Sequence, residues 1–198
     1  MSASAFLDRV FPHIPKLSPT RFAFEAWRHG GRPTSEGVGV LPGVTCDVES
    51  MVARIMDVGS YVGPVKYVVE SRAVPGPQHQ PPKAVRFYQR IKVPVLAEMQ
   101  MELVMTDFGV RDGFRVLAWD QVNDATERLN PKRGARTEYN LGAWLLKSDA
   151  VGYALASSPR KSDVGRLKFA ALTRGADAGA ASVVKANIEG MLAWSRRA

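Results

Sequence analysis

The spacing of apolar residues divides the chain into a helical start, a long alternating middle and a helical end. Residues 3–11 carry an apolar stripe at helical spacing, and Pro12 ends it. Aromatic residues two positions apart favour a strand over 21–27, and alternation favours another over 37–46. A short helix is predicted over 47–57, with the first aspartate as its N-cap.

The middle of the chain has an apolar period of two, which is typical of strands. Predicted strands cover residues 65–74, 84–95, 96–108, 114–122, 136–146 and 151–157. The turn-rich segments between them are too short for a crossover helix. The sequence therefore predicts an antiparallel meander.

The second and third of these strands form the hairpin with the clearest pattern. When the chain turns about Val95, Lys92 lies opposite Glu98 and Tyr88 lies opposite Glu102. This register gives the hairpin a polar face, which we expect to meet water, and a dry face. The dry face combines three methionines with other apolar residues and one amide, and comprises Val85, Phe87, Gln89, Ile91, Met99, Met101, Leu103 and Met105.

Helical spacing returns at the carboxyl end. Ser162 and Asp163 are candidate caps, and the segment from there to Arg197 contains no proline. Such a helix is about 45 Å long, enough to cross a whole sheet. One face carries the apolar stripe Ala180, Val184, Ile188 and Met191. Residues 175–182 include two glycines and four alanines, which either permit close packing on the sheet or leave space for a ligand.

Composition excludes several classes of protein. The 198 residues suit one domain, and 45% hydrophobic with 23% charged residues is ordinary for globular proteins. One cysteine, Cys46, excludes an intramolecular disulfide framework, and three scattered histidines form no zinc cluster, so we expect no metal and no cofactor. No run reaches the roughly 18 apolar residues of a membrane helix, and charges at Asp8 and Arg9 interrupt any signal peptide. We therefore expect a cytoplasmic protein.

The net charge of +8 leaves the kind of partner open. Basic residues cluster over 83–92, at Arg128, Lys132, Arg133 and Arg136, and at Arg160, Lys161, Arg166 and Lys168. The last two clusters fall near predicted loops, where they would attract an anionic membrane surface in a transient, peripheral contact. Nucleic-acid binding needs cations interleaved with exposed aromatic residues, so we rank that partner last. The sequence contains no glycine-rich phosphate loop and no specific catalytic constellation.

Three stretches of the sequence resemble the START-like superfamily. Residues 44–64 are similar to its strand, short helix and a turn in which an aspartate precedes an aromatic residue and a proline. Residues 142–146 and 151–153 are similar to a Gly-x-Trp strand followed by a Val-x-Tyr strand. Residues 159–165 and the helix beyond resemble its loop and lid helix. The resemblance covers about residues 36–198.

The resemblance implies an α+β helix-grip fold, in which a curved antiparallel sheet wraps around a long C-terminal helix. Residues 1–35 would form an N-terminal helix and lead-in segment, and residues 36–198 a START-like ligand-binding domain, with one compact domain overall. The superfamily includes StAR-related lipid-transfer domains and polyketide cyclases. It implies a tunnel between sheet and helix that binds, and in a carrier transports, a lipid or another hydrophobic small molecule.

We expect this tunnel to be lined by the dry strand face, by aromatic residues of later strands and by the C-terminal helix. The candidate ligand-binding residues are Phe87, Gln89, Met99, Met101, Leu103, Met105, Trp119, Tyr139, Leu172, Ala176, Gly179 and Val183. Methionine adapts to flexible apolar ligands, although for the stripe alone an ordinary core that uses methionine is the favoured explanation. The facing of Trp119, Tyr139 and Trp144 stays open. We expect binding rather than catalysis; the alternative is a cyclase-like enzyme in which Gln89, Tyr139 or Arg86 orients a polyketide from within.

Overall fold

A computed structural model describes residues 2–92 and 98–197, and eight of its strands form one sheet. The strands are β1 (Ala23–Trp27), β2 (Glu36–Pro42), β3 (Val68–Ala73), β4 (Ala84–Lys92), β5 (Glu98–Arg111), β6 (Phe114–Gln121), β7 (Ala135–Lys147) and β8 (Ala150–Pro159). Their order is β1-β2-β8-β7-β6-β5-β4-β3, and neighbours in this order run antiparallel. The predicted antiparallel meander is therefore confirmed, with β2 added beside β8.

The sheet is curved at the end where β5 and β7 begin. Strand β6 ends at Gln121, and beyond it Met99 of β5 pairs directly with Ala135 of β7 in a short parallel contact. Because two strands that flank β6 meet past its end, the sheet bends there. The turn predicted about Val95 lies outside the described residues.

The register predicted for the hairpin of β4 and β5 is confirmed. Lys92 pairs with Glu98, and Tyr88 pairs with Glu102. The expectation that this face meets water is wrong, since Tyr88 is 2% exposed and Glu102 is 9% exposed. The segment 123–134 covers this face of β5. The Gln100 side chain donates hydrogen bonds to two backbone carbonyls of this segment, those of Asn130 and Gly134. A segment that looked like a loop therefore buries polar residues and supplies their partners.

Five helices accompany the sheet, namely α1 (Ala3–Val10), α2 (Val48–Met56), α3 (Asn123–Glu127), α4 (Lys161–Val164) and α5 (Arg166–Ser195). The Asp47 side chain caps α2 as predicted, accepting a hydrogen bond from the Ser50 backbone N–H at 3.1 Å. Helix α5 starts later than predicted because Gly165, at φ +77°, separates it from α4. Among the described residues, no helix is both long and apolar enough to cross a membrane.

Both faces of the sheet are covered. On the inner face, α2 and α5 pack against apolar residues of β4 to β8. On the outer face, α1 and the 3₁₀ turn after it pack against β6, β7 and β8. Strand β1 pairs with β2 in the register Ala23 to Val40, so the predicted boundary at residue 36 falls between two paired strands. The N-terminal segment thus contributes an edge strand and an outer layer to the same sheet.

Candidate ligand-binding cavity

A cavity of about 160 Å³ lies between α5 and the inner face of the sheet. Its walls come from β1, β2, β4 to β8, the segment 65–67, the first residue of β3, and the first two thirds of α5. The volume is below the ~300 Å³ at which pockets for drug-sized molecules begin. It is similar to the ~150 Å³ of an apolar cavity that holds benzene. In this conformation the cavity therefore has room for a molecule of about one ring.

Small residues on α5 make this space. Ala176 and Ala180 line the cavity, and a β-carbon added to Gly179 would meet no atom within 4 Å. Helix and sheet approach closely at Val184, since a β-carbon added to Gly39 would lie 2.7 Å from its Cγ1 atom. Of the two roles considered for residues 175–182, leaving space is the one that this structure shows.

An aromatic cluster forms the wall opposite the helix. The Tyr153 ring lies 5.4 Å from that of Trp119 and 4.5 Å from that of Trp144, the second contact being edge-on. The Trp119 indole Nε1 donates a hydrogen bond to Asn140 Oδ1 at 2.7 Å, and Asn140 Nδ2 lies 3.2 Å from Ser157 Oγ. These hydrogen bonds hold the indole in place and satisfy its buried N–H group.

Several polar side chains on the cavity wall make no side-chain hydrogen bond with any described residue, among them Gln89, Tyr153 and Asn187. Asn187 is 6% exposed, and its Oδ1 atom is buried with no partner among the described residues. Burial raises the pKa of the Tyr153 phenol, so this group is neutral at physiological pH. The cavity therefore offers neutral hydrogen-bonding groups within an apolar wall.

Asp177 reaches the edge of the cavity from α5. Its Oδ2 atom lies 2.5 Å from an Arg28 guanidinium nitrogen, and its Oδ1 atom accepts a hydrogen bond from the Ser35 backbone N–H at 2.8 Å. These contacts join the first half of α5 to the turn between β1 and β2. They also neutralise this carboxylate.

Glu36 belongs to the part of β2 that borders the cavity, but its side chain is fully buried on the outer face of the sheet, the same face as Val38. Both of its oxygens accept hydrogen bonds from Arg9 at 2.8 Å, and Arg32 and the Trp27 indole add further contacts. Burial alone would raise the pKa of Glu36, but the Arg9 hydrogen bond and the two guanidinium charges lower it below the ordinary value. Glu36 is therefore ionised and fully paired.

Nine of the twelve residues predicted for the site lie on the cavity wall, namely Phe87, Gln89, Met99, Leu103, Met105, Trp119, Leu172, Ala176 and Val183. Met101, Tyr139 and Gly179 do not. Met101 is fully buried, and Asn140, which itself lines the cavity, donates a hydrogen bond to its sulfur at 3.2 Å. Gly179 lies on α5 between the lining residues Ala176 and Ala180, and it carries no side chain to extend the wall.

The prediction for Tyr139 is wrong because this residue faces the outer layer with α1. Trp144 lies five residues further along β7, and side chains an odd number of positions apart point to opposite faces. Trp144 faces the cavity, so Tyr139 cannot. The Tyr139 hydroxyl instead lies 2.7 Å from Thr34 Oγ1. Arg86 also lies away from the cavity, in an ion pair with Glu102.

Sequence reasoning missed Asn140, Tyr153 and Asn187. A signal for Asn187 was available, because it is a polar residue beside the apolar stripe that includes Val184 and Met191. An amide in a buried helix face needs a partner, which marks it as functional or as paired. Within residues 2–92 and 98–197, no three His, Cys, Asp or Glu side chains are grouped so that they could hold a metal ion.

Solved structures share this architecture. A STAR-related lipid transfer protein from Xanthomonas axonopodis superposes with a TM-score of 0.70 at 15% identity, over 89% of this chain and 94% of that one. Human STARD10 superposes with a TM-score of 0.66 at 11% identity, over 89% and 71% of the two chains. The Zhui aromatase/cyclase from a Streptomyces species gives 0.50 at 10% identity, over 89% and 95%.

Sequence comparisons give no match for this chain. No family model matches the chain, and no curated protein matches it. The evidence for its fold class is thus the eight-stranded antiparallel sheet, the 30-residue helix α5 across its inner face and the superpositions. On these grounds the chain has the helix-grip fold of the START-like superfamily.

Proposed function

We propose that this chain binds and carries a hydrophobic small molecule, or the apolar part of a lipid, in the cavity between α5 and the sheet. The observation that supports it most is the wall itself, where aromatic and methionine side chains of β4 to β8 face alanines on α5. A similar structure is named a lipid transfer protein, which agrees with this class of ligand. A lipid larger than one ring requires the first half of α5 to move outward.

The cyclase alternative has less support. Of the three polar residues considered for it, Gln89 lines the cavity, whereas Tyr139 and Arg86 lie on the outer face of the sheet. Nucleic-acid binding also has less support, because arginines of all three basic clusters are engaged in ion pairs with carboxylates. These arginines are Arg86, Arg90, Arg133, Arg136 and Arg160.

Contact with an anionic membrane extends the proposal. Leu167, at the start of α5, is 90% exposed and lies between the exposed residues Arg166 and Lys168. An apolar side chain flanked by cations suits insertion among anionic headgroups, and each basic residue near the surface adds about 1 kcal/mol. Such a contact would place the start of α5 at a bilayer from which an apolar molecule could enter. The protein would then be cytoplasmic and meet membranes peripherally.

The binding proposal is tested by filling the cavity from the helix. Ala176 lines the cavity, whereas Ala178 is exposed on the same helix. We expect Ala176→Phe to abolish binding of fluorobenzene, followed by ¹⁹F line broadening, and retention of lipid after incubation with a bacterial lipid extract, followed by native mass spectrometry. Ala178→Phe introduces the same side chain outside the cavity and should bind as the wild type does.

Two results contradict the proposal. The first is a wild-type protein that takes up neither fluorobenzene nor any lipid. The second is an Ala176→Phe protein that is folded by circular dichroism and still binds both as well as the Ala178→Phe protein does.

A further inference from the structure

We propose that Asn187 recognises a neutral hydrogen-bond donor, such as a hydroxyl, on the bound molecule; this inference rests on the binding function proposed above. Asn187 lies on the cavity wall, is 94% buried, and its Oδ1 atom has no hydrogen-bond partner among the described residues. A buried amide without a partner destabilises a protein. A ligand that pairs with the amide removes this cost, so the residue favours ligands that carry such a group.

The Tyr153 hydroxyl is placed to act with Asn187. Tyr153 pairs with Gly39 across β8 and β2, and Val184 packs on Gly39 so closely that a β-carbon there would lie 2.7 Å from it. Asn187 follows Val184 by three residues, which on a helix is the same face one turn later. Tyr153 and Asn187 therefore have backbone positions close to the contact of Val184 with Gly39, and both side chains line the cavity. Both groups can donate and accept, and the unpaired Oδ1 atom of Asn187 needs a ligand group that donates, such as a hydroxyl.

The charges around the cavity argue against an ionised ligand group beside Asn187 and Tyr153. Of the two acidic residues that border the cavity, Asp177 is paired with Arg28, and the Glu36 carboxylate lies on the outer face, where it is paired with Arg9 and Arg32. Among the described lining residues the exposed lysine, Lys66, lies at the rim, before β3. Burying a carboxylate or phosphate beside Asn187 and Tyr153 would leave it without a counter-charge. The ligand group that reaches Asn187 is therefore a neutral hydroxyl or amide, whose O–H or N–H can donate to Oδ1.

Three fluorinated probes of one-ring size test this inference on the full chain. Fluorobenzene has no polar group, 4-fluorophenol adds a neutral hydroxyl, and 4-fluorobenzoate adds a charge. With ¹⁹F NMR as the readout, we expect the wild type to bind 4-fluorophenol about tenfold more tightly than fluorobenzene, the gain typical of one hydrogen bond to a buried group. We expect 4-fluorobenzoate to bind most weakly of the three.

Substitution of Asn187 tests whether its amide causes the preference for 4-fluorophenol over fluorobenzene. Asn187→Leu keeps the size of the side chain and removes both hydrogen-bonding atoms, so the ratio of the two affinities should fall to about one while fluorobenzene still binds. Glu189→Leu places leucine on the exposed side of the same helix turn and should leave the ratio unchanged. Tyr153→Phe is a second, independent variant, and it should lower the ratio even when Asn187→Leu does not fold.

The outcomes separate the two proposals. Equal wild-type affinity for fluorobenzene and 4-fluorophenol would mean that Asn187 is only hydrated, and it would overturn this inference while the binding function stands. Tightest binding of 4-fluorobenzoate would overturn the neutral class of ligand. A wild type that binds none of the probes, and no lipid from the extract, would overturn the binding function itself.

Discussion

The indole ring of Trp119 lies against the backbone of Gly142, where a β-carbon would come within 2.0 Å of the ring atom Cζ2. The two residues are paired across β6 and β7. Because position 142 has no side chain, the ring can occupy that space and donate its N–H to Asn140. One wall of the cavity therefore depends on a glycine whose role is steric.

Gly142→Ala should displace the indole and destabilise the protein by about 1–3 kcal/mol, as overpacking of a core usually does. Urea unfolding measures the stability, and tryptophan fluorescence reports the altered surroundings of the ring. Binding of fluorobenzene should weaken in parallel. A variant with wild-type stability and an unchanged spectrum would show that Trp119 is not seated on Gly142.

Gly179→Ala is the control for Gly142→Ala, because it adds the same β-carbon at a position where nothing lies close to it. The position lies within α5, and an added β-carbon meets nothing within 4 Å. We expect stabilisation of about 1 kcal/mol, because alanine is the better helix former. The midpoint of urea unfolding checks this value. Loss of stability would mean that the helix packs more closely on its surroundings at this position than the structure shows.

Glu36→Gln tests the buried ion pair between the N-terminal segment and the sheet. Since the pKa of Glu36 is lowered in the folded protein, its contribution is present above the ordinary value of 4.5 and is lost as the pH falls through the folded pKa. We expect a loss of about 3 kcal/mol at pH 7, because Arg9 and Arg32 lose a buried counter-charge. The difference from wild type should shrink below pH 4.5.

Unfolding curves measured from pH 3 to pH 8 provide this comparison. Glu189→Gln removes an exposed carboxylate that lies 3.7 Å from Lys185, and it should change stability by less than about 0.5 kcal/mol throughout. A Glu36→Gln deficit that is independent of pH would contradict the assignment of the effect to ionisation.

Asp177→Asn should loosen the first half of α5 without unfolding the protein. The pair with Arg28 is partly exposed, so its loss should cost at most about 1 kcal/mol overall. Hydrogen exchange should nevertheless become faster in residues 169–182, since the charge that joins them to the turn between β1 and β2 is gone. The difference should diminish at high salt.

Asp149→Asn is the control for Asp177→Asn, because Asp149 is an exposed aspartate in the turn between β7 and β8. Its exchange pattern over 169–182 should equal that of the wild type. Equal patterns for the Asp177→Asn protein as well would show that the ion pair does not hold the helix.

Local pattern was sufficient for most of the sheet. The Lys92–Glu98 and Tyr88–Glu102 pairs follow from alternation alone, since a slip of one residue would turn every apolar side chain of β4 to the other face. The same pattern placed Phe87, Gln89, Met99, Leu103 and Met105 on the face that borders the cavity. Alternation within one hairpin is strong evidence because two strands must satisfy it together.

Alternation could not predict the burial of a strand face that is covered by a segment distant in the sequence. Tyr88 and Glu102 look like water-facing residues of an alternating hairpin, but α3 and the turn after it cover them. Tyr139 carries an aromatic ring that suits either face of β7, and α1, more than 120 residues earlier, packs against the side on which it lies. Neither covering element leaves a trace in the local sequence.

The sequence by itself determined the antiparallel sheet, the long C-terminal helix and the apolar inner face, because these depend on periodicity within short segments. Only the tertiary structure decided that Ala176 and Ala180 border a cavity between α5 and the sheet, and that Asn187 lines this cavity with its Oδ1 atom unpaired among the described residues. The reason is physical. The contact of Val184 with Gly39 fixes the distance between helix and sheet at that point. Because the helix is rigid, this contact also determines how far its other residues lie from the sheet.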